Sequence, residues 1–182
     1  MKYNLQQLID RFNNGEKINY VMFWENYEDP GKVTKSCLSN WYDCTFYVGG
    51  TKYYTTEQYM MAQKAVLFGD KTIYDEIMKA HDPKTFKELG KEVRGFDSAV
   101  WNKNKCRIVF EGNLAKFSQN PKLKDFLLST GDAVLVEASP VDKVWGIGLN
   151  RENTDSQNPN LWKGENNLGF TLMEVRDAVK NL

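Results

Sequence analysis

A carboxylate and an amine stand seven residues apart in Thr55-Thr56-Glu57-Gln58-Tyr59-Met60-Met61-Ala62-Gln63-Lys64-Ala65. The segment opens on hydroxyl residues suited to capping a helix and continues with strong helix formers. At 3.6 residues per turn, Glu57 and Lys64 fall within about 20° of each other around the axis and roughly 10 Å apart along it. A routine helix-surface ion pair needs a spacing of three or four, so these two groups suit opposite ends of one small ligand. Lys64 lies between Ala62-Gln63 and Ala65-Val66-Leu67-Phe68, surroundings apolar enough to bury the amine in part. Burial disfavours the charged form, lowers the pKa and makes the amine a nucleophile. The plain alternative is a solvated helix face, the common fate of Glu and Lys.

Further chemistry gathers in Glu137-Ala138-Ser139-Pro140-Val141-Asp142-Lys143-Val144-Trp145-Gly146-Ile147-Gly148. Here a strand gives way to a loop with a second carboxylate, a tryptophan and two glycines. Asp142 suits sugar hydroxyls or a proton transfer, Trp145 offers a flat face to a base, and Gly146 lets backbone approach a ligand closely. Core packing for Trp145 and a turn for Asp142 are the competing readings. Gly146-x-Gly148 lacks the third glycine and following helix of a dinucleotide fingerprint. Trp162 to Phe170 leads into a last helix, which its asparagines, Asn167 among them, are placed to cap and whose N-terminal amides suit a phosphate. Leu38-Ser39-Asn40-Trp41 sets a polar pair between apolar residues, facing a pocket or forming a turn.

The elements that must hold these groups are legible from period and punctuation. Apolar residues at 5, 8, 9 and 12 give a first helix ended by Gly15. Tyr20 to Trp24, including Phe23, reads as an aromatic strand, followed by a polar loop around Asp29-Pro30-Gly31. Phe46 to Tyr54 folds back at Gly49-Gly50 as a hairpin. Helices follow over Asp70 to Ala80, over Pro83 to Val93 behind the Asp82 cap, and from Asp97 through Phe117, with Gly112 a candidate bend. Another opens at Asn120-Pro121 and closes at Gly131. Ala133 to Glu137 is a strand, and Leu168 to Val179 a final helix. The expectation is one predominantly helical α+β domain with a few short strands.

Composition bounds the function. The chain has 182 residues, 41% hydrophobic and 26% charged, with 24 basic and 24 acidic side chains. No global field favours nucleic acid or an anionic membrane, and no apolar run spans a bilayer. Cys37, Cys44 and Cys106 are scattered, which suits free thiols in the cytoplasm. His81 is the single histidine, so paired-histidine zinc sites and most Ser-His-Asp arrangements are excluded. It precedes Asp82-Pro83 at a helix start. No metal or cofactor is expected.

Taken together, the motifs resemble the NADAR family, also called YbiA-like. They are Leu38-Ser39-Asn40-Trp41, Thr56 to Ala65, Leu89-Gly90-Lys91, Gly112-Asn113-Leu114-Ala115-Lys116-Phe117, Leu135 to Pro140, Asp142, Trp145 to Leu149 and Asn167 to Arg176. They occur in family order over roughly residues 20–180, so the resemblance implies a helical extension over residues 1–18 and the family domain over 19–182. The resemblance implies an N-glycosidase acting on a riboside. Its substrate would be an early ribosylaminopyrimidine phosphate of riboflavin synthesis or ADP-ribosylated guanine in DNA or RNA, with no obligatory protein partner. It matches Glu57 to the family's helix glutamate, Lys64 to its lysine, and Asp142 with Trp145 to its aspartate–tryptophan loop. Lys64, Glu57 and Asp142 are thus the expected catalytic groups; Trp145, Gly146, Asn40, Ser39, Tyr59, Phe23 and Asn167 are the expected substrate-binding ones. Many members carry His where this chain has Gln58, and commonly Arg where it has Lys91, differences that bear on the substrate. A module that binds ADP-ribose or a nucleotide without cleaving it is the alternative.

Overall fold

The computed structural model describes residues 2–24, 32–180 and 182; the loop expected around Asp29-Pro30-Gly31 lies outside them. The chain folds into two compact units, one built before residue 40 and after residue 120, the other from residues 40–120. Seven α-helices and four short strands among the described residues give the expected helical α+β class.

In the first unit, β1 (Tyr20–Phe23) pairs in parallel with β4 (Val134–Glu137), Phe23 opposite Glu137. The last helix, α7 (Asn167–Val179), packs on β4. Gly169 permits this, because a Cβ there would stand 2.1 Å from the Leu135 carbonyl oxygen. The expected asparagine cap is corrected. Asn166 takes a left-handed conformation and makes no capping bond. Its amide instead accepts from Glu137 N–H at 3.0 Å and donates to Leu135 O at 2.9 Å, fixing the end of β4. Helix α1 (Leu5–Asn13) has a reciprocal Asn4–Gln7 capping box. The Tyr3 hydroxyl just before it donates to Asp177 of α7 at 2.8 Å. Helix α6 (Pro121–Ser129) completes the unit, and Gly131 takes a positive φ beyond it.

In the second unit, β2 (Phe46–Val48) and β3 (Thr51–Tyr53) form the hairpin, with φ of 57° and 80° at Gly49 and Gly50, the backbone that a two-residue primed turn requires. Helix α2 (Thr56–Leu67) packs against α3 (Lys71–Lys79), α4 (Pro83–Lys91) and α5 (Ser98–Gln119). Neighbours on three sides explain why Thr56 through Ala62 are all buried and why α2 lacks a clean amphipathic stripe. The bend expected at Gly112 does not interrupt α5, which continues for 22 residues. The glycine serves close packing, since a Cβ would lie 2.5 Å from the Tyr59 ring. Gly90 does the same for α4, with Met61 sulfur 2.0 Å from its would-be Cβ. Asp70 caps α3 and receives Arg94 Nε at 2.9 Å and Nη2 at 2.5 Å, which holds its carboxyl well below the usual range.

No helix among the described residues is long and apolar enough to cross a membrane.

Candidate active site

Glu57 sits in the first turn of α2 and is 5% exposed, a rare depth for a carboxylate. Its helix start is tied down on every side. Thr55 caps α2 through Gln58 N–H at 3.0 Å. Glu57 N–H donates to the Asn40 carbonyl at 2.9 Å. The Thr56 hydroxyl donates to Asn40 Oδ1 at 2.9 Å, and Asn113 Nδ2 donates to the same oxygen at 3.2 Å and to Val109 O at 3.0 Å. Asn40 and Asn113 are both buried. Asn40, held in turn by Asn113, therefore fixes the backbone of the turn that carries Glu57.

Lys64 lies in the last turn of the same helix, half-buried. Its Nζ donates to Gly90 O at 2.6 Å and stands 4.3 Å from the Phe96 ring centre and 5.6 Å from that of Trp101. Burial pushes this amine below its ordinary pKa, as its neighbours in sequence suggested. A second lysine went unremarked in the sequence for its chemistry. Lys116 of α5 is 0% exposed, with Nζ 5.4 Å from the Tyr42 ring centre. The signal was its place one turn beyond Asn113, on the inward face of α5.

Tyr59 is enclosed. Its ring meets Tyr53 edge-on at 5.1 Å and Phe46 at 6.3 Å, and its hydroxyl donates to Glu111 at 3.3 Å. Gln58, the departure from the family pattern, is fully buried. It accepts from Tyr54 N–H at 2.9 Å and donates to Ile77 O at 3.3 Å, so the substitution falls on backbone packing. Lys91, the other departure, pairs with Glu88 at 2.8 Å on the surface.

In the first unit the strand ends carry the second cluster. Ala138 N–H donates to Phe23 O at 2.8 Å, continuing the β1–β4 ladder into the loop. Asp142 Oδ1 accepts from Val144 N–H at 2.9 Å and Trp145 N–H at 2.7 Å, while Asp142 N–H donates to Ser139 Oγ at 3.1 Å. The aspartate thus shapes its own loop. Gly146 is required there, as a Cβ would lie 2.8 Å from Glu137 O. A second loop is laced to the first. Leu168 N–H donates to Trp145 O at 3.1 Å, Asn166 N–H to Gly146 O at 3.2 Å and Asn167 Nδ2 to Val144 O at 2.8 Å. Phe23, Asp142, Trp145, Gly146 and Asn167 are therefore one assembly, with Trp145 half-buried within it. Ser39 ends a short 3-10 turn, its N–H on Ser36 O at 3.0 Å.

Among the described residues, no three His, Cys, Asp or Glu side chains converge as metal ligands.

The family model described as NADAR domain matches residues 22–180, a span that begins after α1 and takes in both units. The chain is 46% identical to "N-glycosidase R617" of Acanthamoeba polyphaga mimivirus over 89% of this chain and 97% of that protein. It is 30% identical to "Riboflavin biosynthesis protein VVA0006" of Vibrio vulnificus over 88% of this chain but only 38% of that longer protein. The solved NMR structure of E. coli YbiA superposes with a TM-score of 0.72 at 27% identity, covering 91% of this chain and 87% of that one.

Proposed function

From the membership of this chain in the NADAR domain family, we propose that it is an N-glycosidase that hydrolyses the bond between ribose C1 and a base nitrogen. The name of the mimivirus relative supports the reaction, and that of the Vibrio protein supports a riboflavin-related substrate. ADP-ribosylated guanine in DNA or RNA is the other candidate. The observation that carries the proposal is Glu57, a nearly buried carboxylate whose backbone is fixed by Asn40.

In the proposed reaction the uncharged Lys64 nitrogen attacks C1. The C1–N bond breaks, and its electron pair leaves with the base, which takes a proton from Glu57. As the imine forms, the nitrogen sheds its protons to Glu57 and the ring oxygen, and the sugar opens. Water then adds to the imine, regenerating the amine and releasing ribose. The sum is riboside plus water to free base plus sugar. Asp142, with Oδ1 anchored by two amides, holds ribose hydroxyls, and Trp145 stacks on the base. Tyr59, Phe23, Ser39, Asn40, Gly146 and Asn167 shape the surroundings.

A second route has specific support. Lys64 Nζ already donates to Gly90 O, and as a fixed cation it would not attack. Glu57 and Asp142 would then serve as the carboxylate pair of direct hydrolysis. Borohydride added during turnover, with mapping of the adduct, separates the two. A sugar on Lys64 supports the imine, one on Lys116 transfers that role to this fully buried amine, and full activity in Lys64→Ala removes Lys64 from catalysis. Binding of both substrates with no base released would make the protein a reader.

A further inference from the structure

Beyond the C-terminal ends of β1 and β4, the first unit encloses a cavity of about 260 Å³. Phe23, Trp24 and Ala138 give it an apolar side; Lys35, Arg151 and Glu152 give it a charged one. We propose that this cavity is an anion subsite in which Lys35 and Arg151 bind the phosphoryl oxygens of the riboside.

Four observations carry it. First, two cations against one carboxylate leave the charged wall net positive. Second, the cations are close enough to oppose each other: burial, and then the neighbouring Arg151, push Lys35 below its ordinary pKa, and Glu152 only partly offsets this. An anion between them would relieve that repulsion. Glu152 meanwhile accepts Arg151 Nε at 2.7 Å and steadies the guanidinium. Third, hydroxyls are at hand, with Thr34 and Ser36 oxygens 2.9 Å apart on the same wall. Fourth, 260 Å³ is below the roughly 300–1,000 Å³ of pockets that enclose a whole drug-sized ligand. One end of a larger molecule fits. Ala138, which lines the cavity and whose N–H donates to Phe23 O, leads along the chain into the Asp142 loop.

The identity of the bound molecule rests on the N-glycosidase reading, since both candidate substrates carry phosphate, one as a 5′-monoester and one as a diphosphate. The ion-binding chemistry does not rest on it.

The test is calorimetric titration of the full chain with ribose 5-phosphate, ribose, inorganic phosphate and ADP-ribose. The proteins are wild type, Lys35→Ala, Lys35→Arg and Arg151→Ala, each checked for native circular dichroism. A phosphorylated ligand should bind at least tenfold more tightly than ribose. Each alanine variant should weaken it about 10- to 100-fold, the range of one charge-assisted hydrogen bond, and Lys35→Arg should restore most of the loss. The ligand more weakened, monoester or diphosphate, names the source of the phosphate. Equal binding of ribose and ribose 5-phosphate, or natively folded alanine variants with unchanged affinity, overturns the subsite. Should Lys35→Ala not fold, the exposed Arg151 carries the test alone. Base release assayed alongside separates the two claims. Charge-dependent phosphate binding without cleavage sinks the glycosidase reading only, and cleavage with KM unchanged in the variants sinks the subsite only.

Discussion

The backbone of Glu57 is placed by Asn40, whose carbonyl accepts its N–H and whose side chain is held by Asn113. Replacing its carboxylate with the isosteric amide in Glu57→Gln keeps the Asn40 contact, which uses backbone N–H. Steady-state kinetics should show kcat reduced about 10²- to 10⁴-fold, the usual worth of a positioned acid–base group, with little change in melting temperature. Asn113 acts one step removed, through Asn40 Oδ1. Asn113→Ala should lower kcat roughly tenfold more than it raises KM, because small misplacements of a reacting group are expensive; a change confined to melting temperature would leave Asn113 a packing residue. Lys64 gives a pH signature. Its depressed pKa means that the free amine gains ground as pH rises through the range below the ordinary lysine value. On the imine route kcat/KM should rise through that range and lose the limb in Lys64→Ala. At this scale the sequence was a partial guide: the Glu57–Lys64 spacing was visible, but the Asn40–Asn113–Thr56 network joins residues 73 positions apart and leaves no local pattern. Lys35 and Arg151 likewise meet only when the strands are paired.

Elements were more legible than their neighbours' demands. Thr55 and Asp82 accept the capping bond expected of them, and Asp70 and Asp97 accept the same bond, because a cap is decided within three residues. Asn166 shares that chemistry but is diverted to β4, a contact 31 positions away. Gly112 and Gly169 follow the same logic: each looks like a helix weakness and is a point of close approach. Gly169→Ala, whose new methyl would overlap the Leu135 carbonyl, should destabilise by about 1–3 kcal/mol in urea unfolding, the common penalty for overpacking. Gly112→Ala should fall in the same range, with added loss of activity as the Tyr59 ring, and α2 with it, is pushed away from α5.

For the whole molecule, the fold class followed from element types, while the division into two units did not. The first unit leaves the chain at residue 39 and resumes at 121, a long-range closure without a linker or composition shift to mark it. Stability should depend on pH in a definite direction. The Asp70 carboxyl is depressed by its Arg94 hydrogen bonds, and that of Asp82 by those of Thr85. The unfolded chain, with carboxyl pKa near ~4, binds more protons than the folded one below that value. The stabilisation is complete above about pH 5 and is lost as pH falls below about 4; thermal melts across that window should show the drop, and Asp70→Asn should flatten it.

The most direct measurement is chromatographic detection of free base after the wild-type chain meets each phosphorylated riboside. The account predicts one base released per sugar from at least one of the two substrates, and none above background with Glu57→Gln. Tight binding with both ribosides recovered intact, or undiminished release by Glu57→Gln, contradicts it.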